Sequence, residues 1–99
     1  MQIEQVNTEE GLRFDIHGKI DGSNCEEFQK EILEGLRQSN VLILNIEDVT
    51  YVSSAALRVL VVGQKTASAK GAKFVITNAN QTVRNSLNIT GISGILDIR

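Results

Sequence analysis

The spacing of the apolar residues changes along this 99-residue chain, and that change limits the folds open to it. From Leu12 to Ile20, apolar and polar residues alternate, which is typical of a strand with one buried and one solvent-exposed face. Met1–Val6 is predicted to be another strand, and the short polar connection after it predicts a hairpin. After Asp21 the spacing becomes three and four, which predicts an amphipathic helix with Cys25, Phe28, Ile32 and Leu36 on its buried side.

The remaining elements follow from two further patterns. Apolar runs without alternation indicate strands that are buried on both faces, and renewed helical spacing lies between them. The predicted elements are, in order, a strand at Val41–Leu44, a helix from near Ser53 that ends by Gly71, a strand at Lys73–Thr77, a helix at Asn80–Asn88 and a strand at Gly94–Ile98.

The predicted order is β-β-α-β-α-β-α-β, which indicates a single α/β domain over residues 1–99. Strands joined through single helices should run parallel, with right-handed crossovers. We therefore expect a mixed, mostly parallel sheet of four to five strands with three to four helices. In such sheets the carboxyl ends of the strands meet at one edge, where binding sites lie. This topology predicts that Asp21, the segment Tyr51–Ala55 and Asn78 lie near one another.

Several residues near this edge have structural interpretations. Ser23 with Glu26 fits a capping box for the first helix, and Asp21 is an alternative cap. Ser53 is interpreted as the cap of the second helix. Tyr51 is predicted either to pack in its loop or to face a partner.

The second helix has one stripe of predicted core residues, Leu57, Leu60 and Val61. Two further valines, Val59 and Val62, extend apolar surface around the helix next to Arg58. They fit either a core between two layers or part of a docking face.

Composition and charge restrict the partners. A net charge of -2 without a basic stripe argues against nucleic acid and anionic membranes. Residues 1–10 contain three glutamates and no apolar run, so no signal peptide is expected. The most apolar stretch, 55–63, is far shorter than the roughly 20 residues that cross a bilayer. Together with the lone Cys25, these features predict a cytoplasmic protein.

Catalysis and metal binding find little support. The one histidine, His17, is predicted to be exposed in mid-strand, away from the edge that carries Ser54, and no G-x-S-x-G motif is present. One cysteine and one histidine do not suggest a metal site, and Cys25 is expected in the core. No phosphate-binding G-x-x-x-x-G-K-[ST] loop occurs either. We expect no enzymatic activity, cofactor or metal.

Three segments of the chain match the motifs of one family. Residues 48–60 are DVTYVSSAALRVL, Gly18–Asp21 is GKID, and Val83–Ile98 has the pattern V-x-x-x-L-x-x-x-G-I-x-x-x-x-x-I. The first segment resembles the phosphorylation-site segment of STAS domains, in which a helix starts with D/S-S-S/A-G-L-x-V-L. The second resembles the G-x-L-D that ends the second strand of that family, and the third its terminal pattern. STAS domains are the family of bacterial anti-sigma factor antagonists.

The resemblance implies that the phosphoacceptor serine is Ser54. Ser53 replaces the aspartate that commonly precedes it, and Ala56 replaces the glycine two residues after it. The acidic residue that the family places beside the site falls on Asp21. The expected partner-binding residues are Asp21, Ser53, Ser54, Ala55 and Arg58.

In the family, the unphosphorylated antagonist binds an anti-sigma factor that is also a serine kinase. The kinase phosphorylates and thereby releases the antagonist, and a separate serine phosphatase resets it. The resemblance implies this role for a monomeric chain, with ATP and magnesium belonging to the kinase. Two alternatives stay open: a STAS module that is never phosphorylated and serves as a scaffold or small-ligand sensor, and an enzyme with Ser54 as nucleophile.

Overall fold

Five strands form one sheet in which the spatial order follows the chain order. The computed structural model describes residues 1–99. The strands are β1 (Gln2–Asn7), β2 (Leu12–Ile20), β3 (Val41–Val52), β4 (Lys73–Thr77) and β5 (Asp97–Ile98). The helices are α1 (Cys25–Gln38), α2 (Ser54–Ala69) and α3 (Gln81–Ile89), and a 3-10 turn spans Ile92–Gly94.

The pairing of the strands confirms the predicted α/β class and its mixed sheet. β1 and β2 pair antiparallel, while each later neighbour pair is parallel. The hairpin turn needs a glycine at Gly11, because a Cβ there would lie 2.5 Å from the Val41 carbonyl oxygen. None of the three helices has both the length and the apolar composition that crossing a membrane requires.

A single core lies between the helices and one face of the sheet. The alternating residues of β2, such as Phe14 and Ile16, are fully buried there, in a core that also contains residues of all three helices. The other face of the sheet carries polar side chains, including Arg13 and Asp15, whose guanidinium and carboxylate pair at 2.9 Å. The helices therefore pack on one face of the sheet, and the ends of the strands are available for a site.

β3 is longer than the predicted strand Val41–Leu44. Its register against β2 shifts twice, between Asp15 and His17 and again between Gly18 and Lys19, so β3 carries extra residues at both places. The buried residues in this part of β3 therefore occur every third position, at Ile46, Val49 and Val52. That spacing has no period of two, which is why alternation did not predict a strand here.

The predicted start of α1 was wrong. Neither Ser23 nor Asp21 caps the helix, which begins at Cys25 after Asn24. The Asn24 side chain instead accepts a hydrogen bond from the Asp21 N–H at 3.0 Å and donates one to the Lys19 carbonyl at 2.9 Å. Because the Asn24 amide ties the end of β2 to α1, no capping box forms.

The buried face of α2 also differs from the prediction. Leu57 and Leu60 are buried as expected, but Val61 is only half-buried. Of the two valines whose place was left open, Val59 belongs to the core and Val62 is exposed. α2 packs on α1 as well as on the sheet, and a Cβ at Gly63 would lie 3.0 Å from Ile32 of α1. Val59 lies one turn before Gly63, so the contact with α1 accounts for its burial.

Two further predictions are corrected at the edges of the core. Cys25 is half-buried and packs against the core from outside. The predicted strand Gly94–Ile98 is reduced to the two residues of β5, because the 3-10 turn takes up the chain before it.

Candidate functional site

β2 and β3 end side by side, and this places Asp21 next to Ser53. Ile20 pairs with Val52 at the last position of the parallel register. The Ser53 N–H then donates a hydrogen bond to the Ile20 carbonyl at 2.9 Å. Asp21 and Ser53 are therefore the first residues beyond two paired strand ends, and their predicted proximity is confirmed.

Asn78 lies elsewhere, so its predicted place beside Asp21 was wrong. The last paired residue of β4, Thr77, lies opposite Asn45, which is seven residues before Val52 in β3. At roughly 3.3 Å per residue, this is about 20 Å along the strand. The Asn78 side chain donates to Asn45 Oδ1 at 3.0 Å instead. The parallel strands differ in length, so their ends do not all meet.

Ser53 has the role of a helix cap, as predicted. Its backbone is extended, with φ -79° and ψ 170°, and its Oγ accepts a hydrogen bond from the Ala56 N–H at 3.2 Å. Its carbonyl accepts the Leu57 N–H at 2.9 Å. The Ser53 side chain is thus committed to holding the first turn of α2.

Ser54 is the first residue of α2, and its side chain is exposed. Its hydroxyl makes no hydrogen bond within the protein. The backbone N–H groups of Ser54 and Ala55 are also free, as expected at a helix N-terminus. The neighbouring serines therefore differ sharply: one hydroxyl is bonded and the other is available.

A shallow, mainly apolar depression extends from Ser54 along α2 towards the 3-10 turn. Arg58 lies one turn further along α2 and is exposed, while Ala55 is half-buried beside Ser54. The depression is lined by Ser54, Leu57, Arg58, Val61, Thr90 and Ile92.

Asp21 gives the site a fixed negative charge. Its Oδ1 accepts hydrogen bonds from the Ser23 hydroxyl at 2.6 Å and from the Ser23 N–H at 2.9 Å. These two bonds, the hydroxyl bond most strongly, hold the pKa of Asp21 below its ordinary value of 3.8, and the positive charge of Lys19 adds to the effect. The carboxylate is therefore ionised at neutral pH.

The exposed apolar residues near the depression were only partly predicted. Tyr51, at the end of β3, is 49% exposed, so it does not pack in a loop. Ile89 and Ile95 flank the 3-10 turn and are 85% and 52% exposed. Neither isoleucine was singled out from the sequence. For Ile89 the available signal was its position outside the buried stripe of Val83 and Leu87 on α3.

His17 takes no part in this site. Its Nδ1 lies 2.9 Å from Asp48 Oδ2 and its Nε2 lies 3.6 Å from Glu4 Oε1, so the ring bridges β3 and β1. The predicted mid-strand position is confirmed, although the ring is paired with two carboxylates and not simply solvated. No group of three or more histidine, cysteine or acidic side chains is arranged to hold a metal ion.

Comparison with known proteins gives a family match along nearly the whole chain. The sequence profile of the STAS domain family matches residues 2–99. An anti-sigma factor antagonist from Mycobacterium paratuberculosis has a similar structure, with a TM-score of 0.86 at 14% identity over 98% of this chain and 83% of that chain.

Two structures of SpoIIAA are similar as well. The anti-sigma factor antagonist SpoIIAA in its unphosphorylated form gives a TM-score of 0.80 at 17% identity, over 99% of this chain and 88% of that one. The Bacillus cell fate determinant SpoIIAA in the phosphorylated form gives 0.73 at 17% identity, over 99% and 89%. At these identities the likeness establishes a common fold.

Replacing each serine in turn distinguishes the cap from the free hydroxyl. Ser53→Ala removes the oxygen that binds the Ala56 N–H, and is expected to lower the free energy of unfolding by about 1 kcal/mol. Ser54→Ala should change it by less than about 0.5 kcal/mol, because that hydroxyl makes no bond. Urea unfolding followed by circular dichroism measures both. A larger loss in Ser54→Ala than in Ser53→Ala would show that the assignment of the cap is wrong.

Ser23→Ala tests the charge of Asp21. The variant loses the hydroxyl bond to the carboxylate, so the pKa of Asp21 should rise towards 3.8, as measured by carbon-13 NMR titration of the carboxyl group. Because the folded-state pKa is the lower one, this bond stabilises the fold above the unfolded-state pKa and stops doing so as the pH falls through the folded-state pKa. An unchanged titration curve would contradict the role given to Ser23.

Proposed function

Since the chain belongs to the STAS domain family, we propose that it is a bacterial anti-sigma factor antagonist whose partner is released when Ser54 is phosphorylated. The observation that carries the proposal is the exposed, unbonded hydroxyl of Ser54 at the first residue of α2. The structurally similar SpoIIAA, which has unphosphorylated and phosphorylated forms, supports it.

The proposed partner is a cytoplasmic anti-sigma factor that is also a serine kinase. It binds the unmodified surface made of Asp21, Ser53, Ser54, Ala55 and Arg58. It also supplies ATP and magnesium, and transfers the terminal phosphoryl group to Ser54 Oγ. A serine phosphatase then restores the hydroxyl. The chain itself acts as a monomer and catalyses no step.

The start of α2 is suited to carry a phosphate without loss of the fold. The N–H groups of Ser54 and Ala55 are free, and the positive end of the helix dipole lies at the same place. A phosphoserine adds about -1.5 to -2 charges at neutral pH. The added charge therefore meets free donors and a favourable dipole, and it displaces no existing hydrogen bond of Ser54.

A partner that covers Ser54 is affected very differently. It would have to remove water from the phosphate dianion, and taking an ion out of water costs several kcal/mol. A loss of about 3.4 kcal/mol corresponds to roughly 300-fold weaker binding. The phosphate thus acts on the complex and leaves the free protein folded.

The fixed position of Ser54 strengthens this effect. Ser53 is held by its backbone bond to Ile20 and by its cap bond to Ala56, so the residue that follows cannot easily turn its side chain inward. A phosphate on Ser54 would remain on the surface that the partner covers.

Incubation with the cognate anti-sigma factor kinase and magnesium ATP tests the proposal. Intact-protein mass spectrometry should show one added phosphate, which should be lost in Ser54→Ala. Ser68→Ala is the control, since it removes an exposed serine hydroxyl near the other end of the same helix, and it should still be phosphorylated. No added phosphate with a cognate kinase that is shown to be active would refute the proposal.

Binding of the same partner distinguishes the switch from a permanent scaffold. Ser54→Asp places a negative charge at the start of α2 and should weaken binding at least about tenfold, a difference of about 1.4 kcal/mol in calorimetry. Equal affinities of the native chain and Ser54→Asp would favour a STAS scaffold that phosphorylation does not regulate.

A further inference from the structure

Arg58 is the one arginine of this chain that has no partner. The guanidinium groups of three arginines pair with nearby carboxylates, and a fourth donates a hydrogen bond to a backbone carbonyl. Arg58 makes neither kind of contact, and it is exposed. The four partnered arginines are Arg13, Arg37, Arg84 and Arg99.

Its position on α2 directs this free cation towards Ser54. Residues four apart lie on the same face of a helix, about 6 Å apart along the axis. Helical side chains also lean towards the N-terminus, so a residue covers the turn that precedes it. Arg58 therefore extends over the turn that starts at Ser54, and the two line the same depression.

We propose that the guanidinium of Arg58 binds the phosphate on Ser54 within the same chain, and that this ion pair draws the Arg58 side chain across the depression. The inference rests on the proposed phosphorylation of Ser54. An arginine presents its N–H groups as a planar fork that matches two phosphate oxygens. The free N–H groups of Ser54 and Ala55 are available to the same phosphate.

The ion pair adds a second effect to the charge itself. In the unmodified chain Arg58 is free to bind a carboxylate of the partner at the rim of the mainly apolar depression. In the phosphorylated chain the guanidinium is bound to the phosphate, and the Arg58 side chain covers the Ser54 end of that depression. The guanidinium and this end of the depression are then no longer available to a partner.

The ionisation of the phosphate measures this pair without any partner protein. Phosphoserine is incorporated at position 54 during translation, in the native chain and in Arg58→Gln, and phosphorus-31 NMR gives its second pKa. The nearby cation should make this pKa lower in the native chain than in Arg58→Gln by about half a unit at low salt. The difference should shrink as sodium chloride is added, because the pair is exposed to solvent.

Lys65→Gln is the matched control. It removes one positive charge from the same helix, about 16 Å from Ser54. The second pKa of the phosphate on Ser54 should therefore be the same in this variant as in the native chain. Melting temperatures of the unmodified variants check that each is folded. A second readout is the Nε–H signal of Arg58, which should shift downfield only when the phosphate is present.

Identical second pKa values in the native chain and Arg58→Gln would overturn the ion pair, as would an unshifted Arg58 signal. An equal change in Lys65→Gln would also overturn it, because the effect would then come from net charge. None of these results depends on the kinase. Failure of the kinase to modify Ser54 would refute the proposed function, but it would not change the pKa difference between the native chain and Arg58→Gln.

Discussion

The parallel pairing of β2 with β3 continues to the last residue of both strands, and the site depends on this. Ile20 lies opposite Val52, and the Ser53 N–H donates a hydrogen bond to the Ile20 carbonyl. Two segments that are distant in sequence therefore leave the sheet together, one carrying Asp21 and the other starting α2. If β3 ended where its run of apolar residues ends, at Leu44, Asp21 and the start of α2 would lie at different heights along the sheet.

Two adjacent serines at the start of α2 differ in what their hydroxyl groups do. The Ser53 Oγ accepts a hydrogen bond from the Ala56 N–H, which fixes the first turn of the helix. The Ser54 hydroxyl makes no hydrogen bond, so it can be modified without breaking one. A phosphate there meets free N–H groups and lies one turn from Arg58. Under the proposed phosphorylation, the cost of the added charge would fall on a covering partner and not on the fold.

The sequence predicted the parts of this arrangement that follow from local patterns. Alternation predicted β2, helical spacing predicted α1 and α2, and the position of Ser54 followed from the start of α2. The second half of β3 was missed because its two irregularities place buried residues at every third position. Asn78 was misplaced because β3 extends well beyond the end of β4. The spacing of apolar residues did not predict this extra length of β3. Asn24 binds backbone groups of Lys19 and Asp21, a contact that depends on how the chain turns.

The central claim is that negative charge on Ser54 changes the surface and leaves the fold as it is. Amide hydrogen exchange, measured for the native chain and for the chain with phosphoserine at position 54, tests it directly. A surface switch predicts equal protection in β2, β3 and the body of α2, with changes confined to the first turn of α2 and the residues next to Asp21. Loss of protection through α2 or along β3 would show that the phosphate acts by unfolding part of the domain, and would contradict the claim.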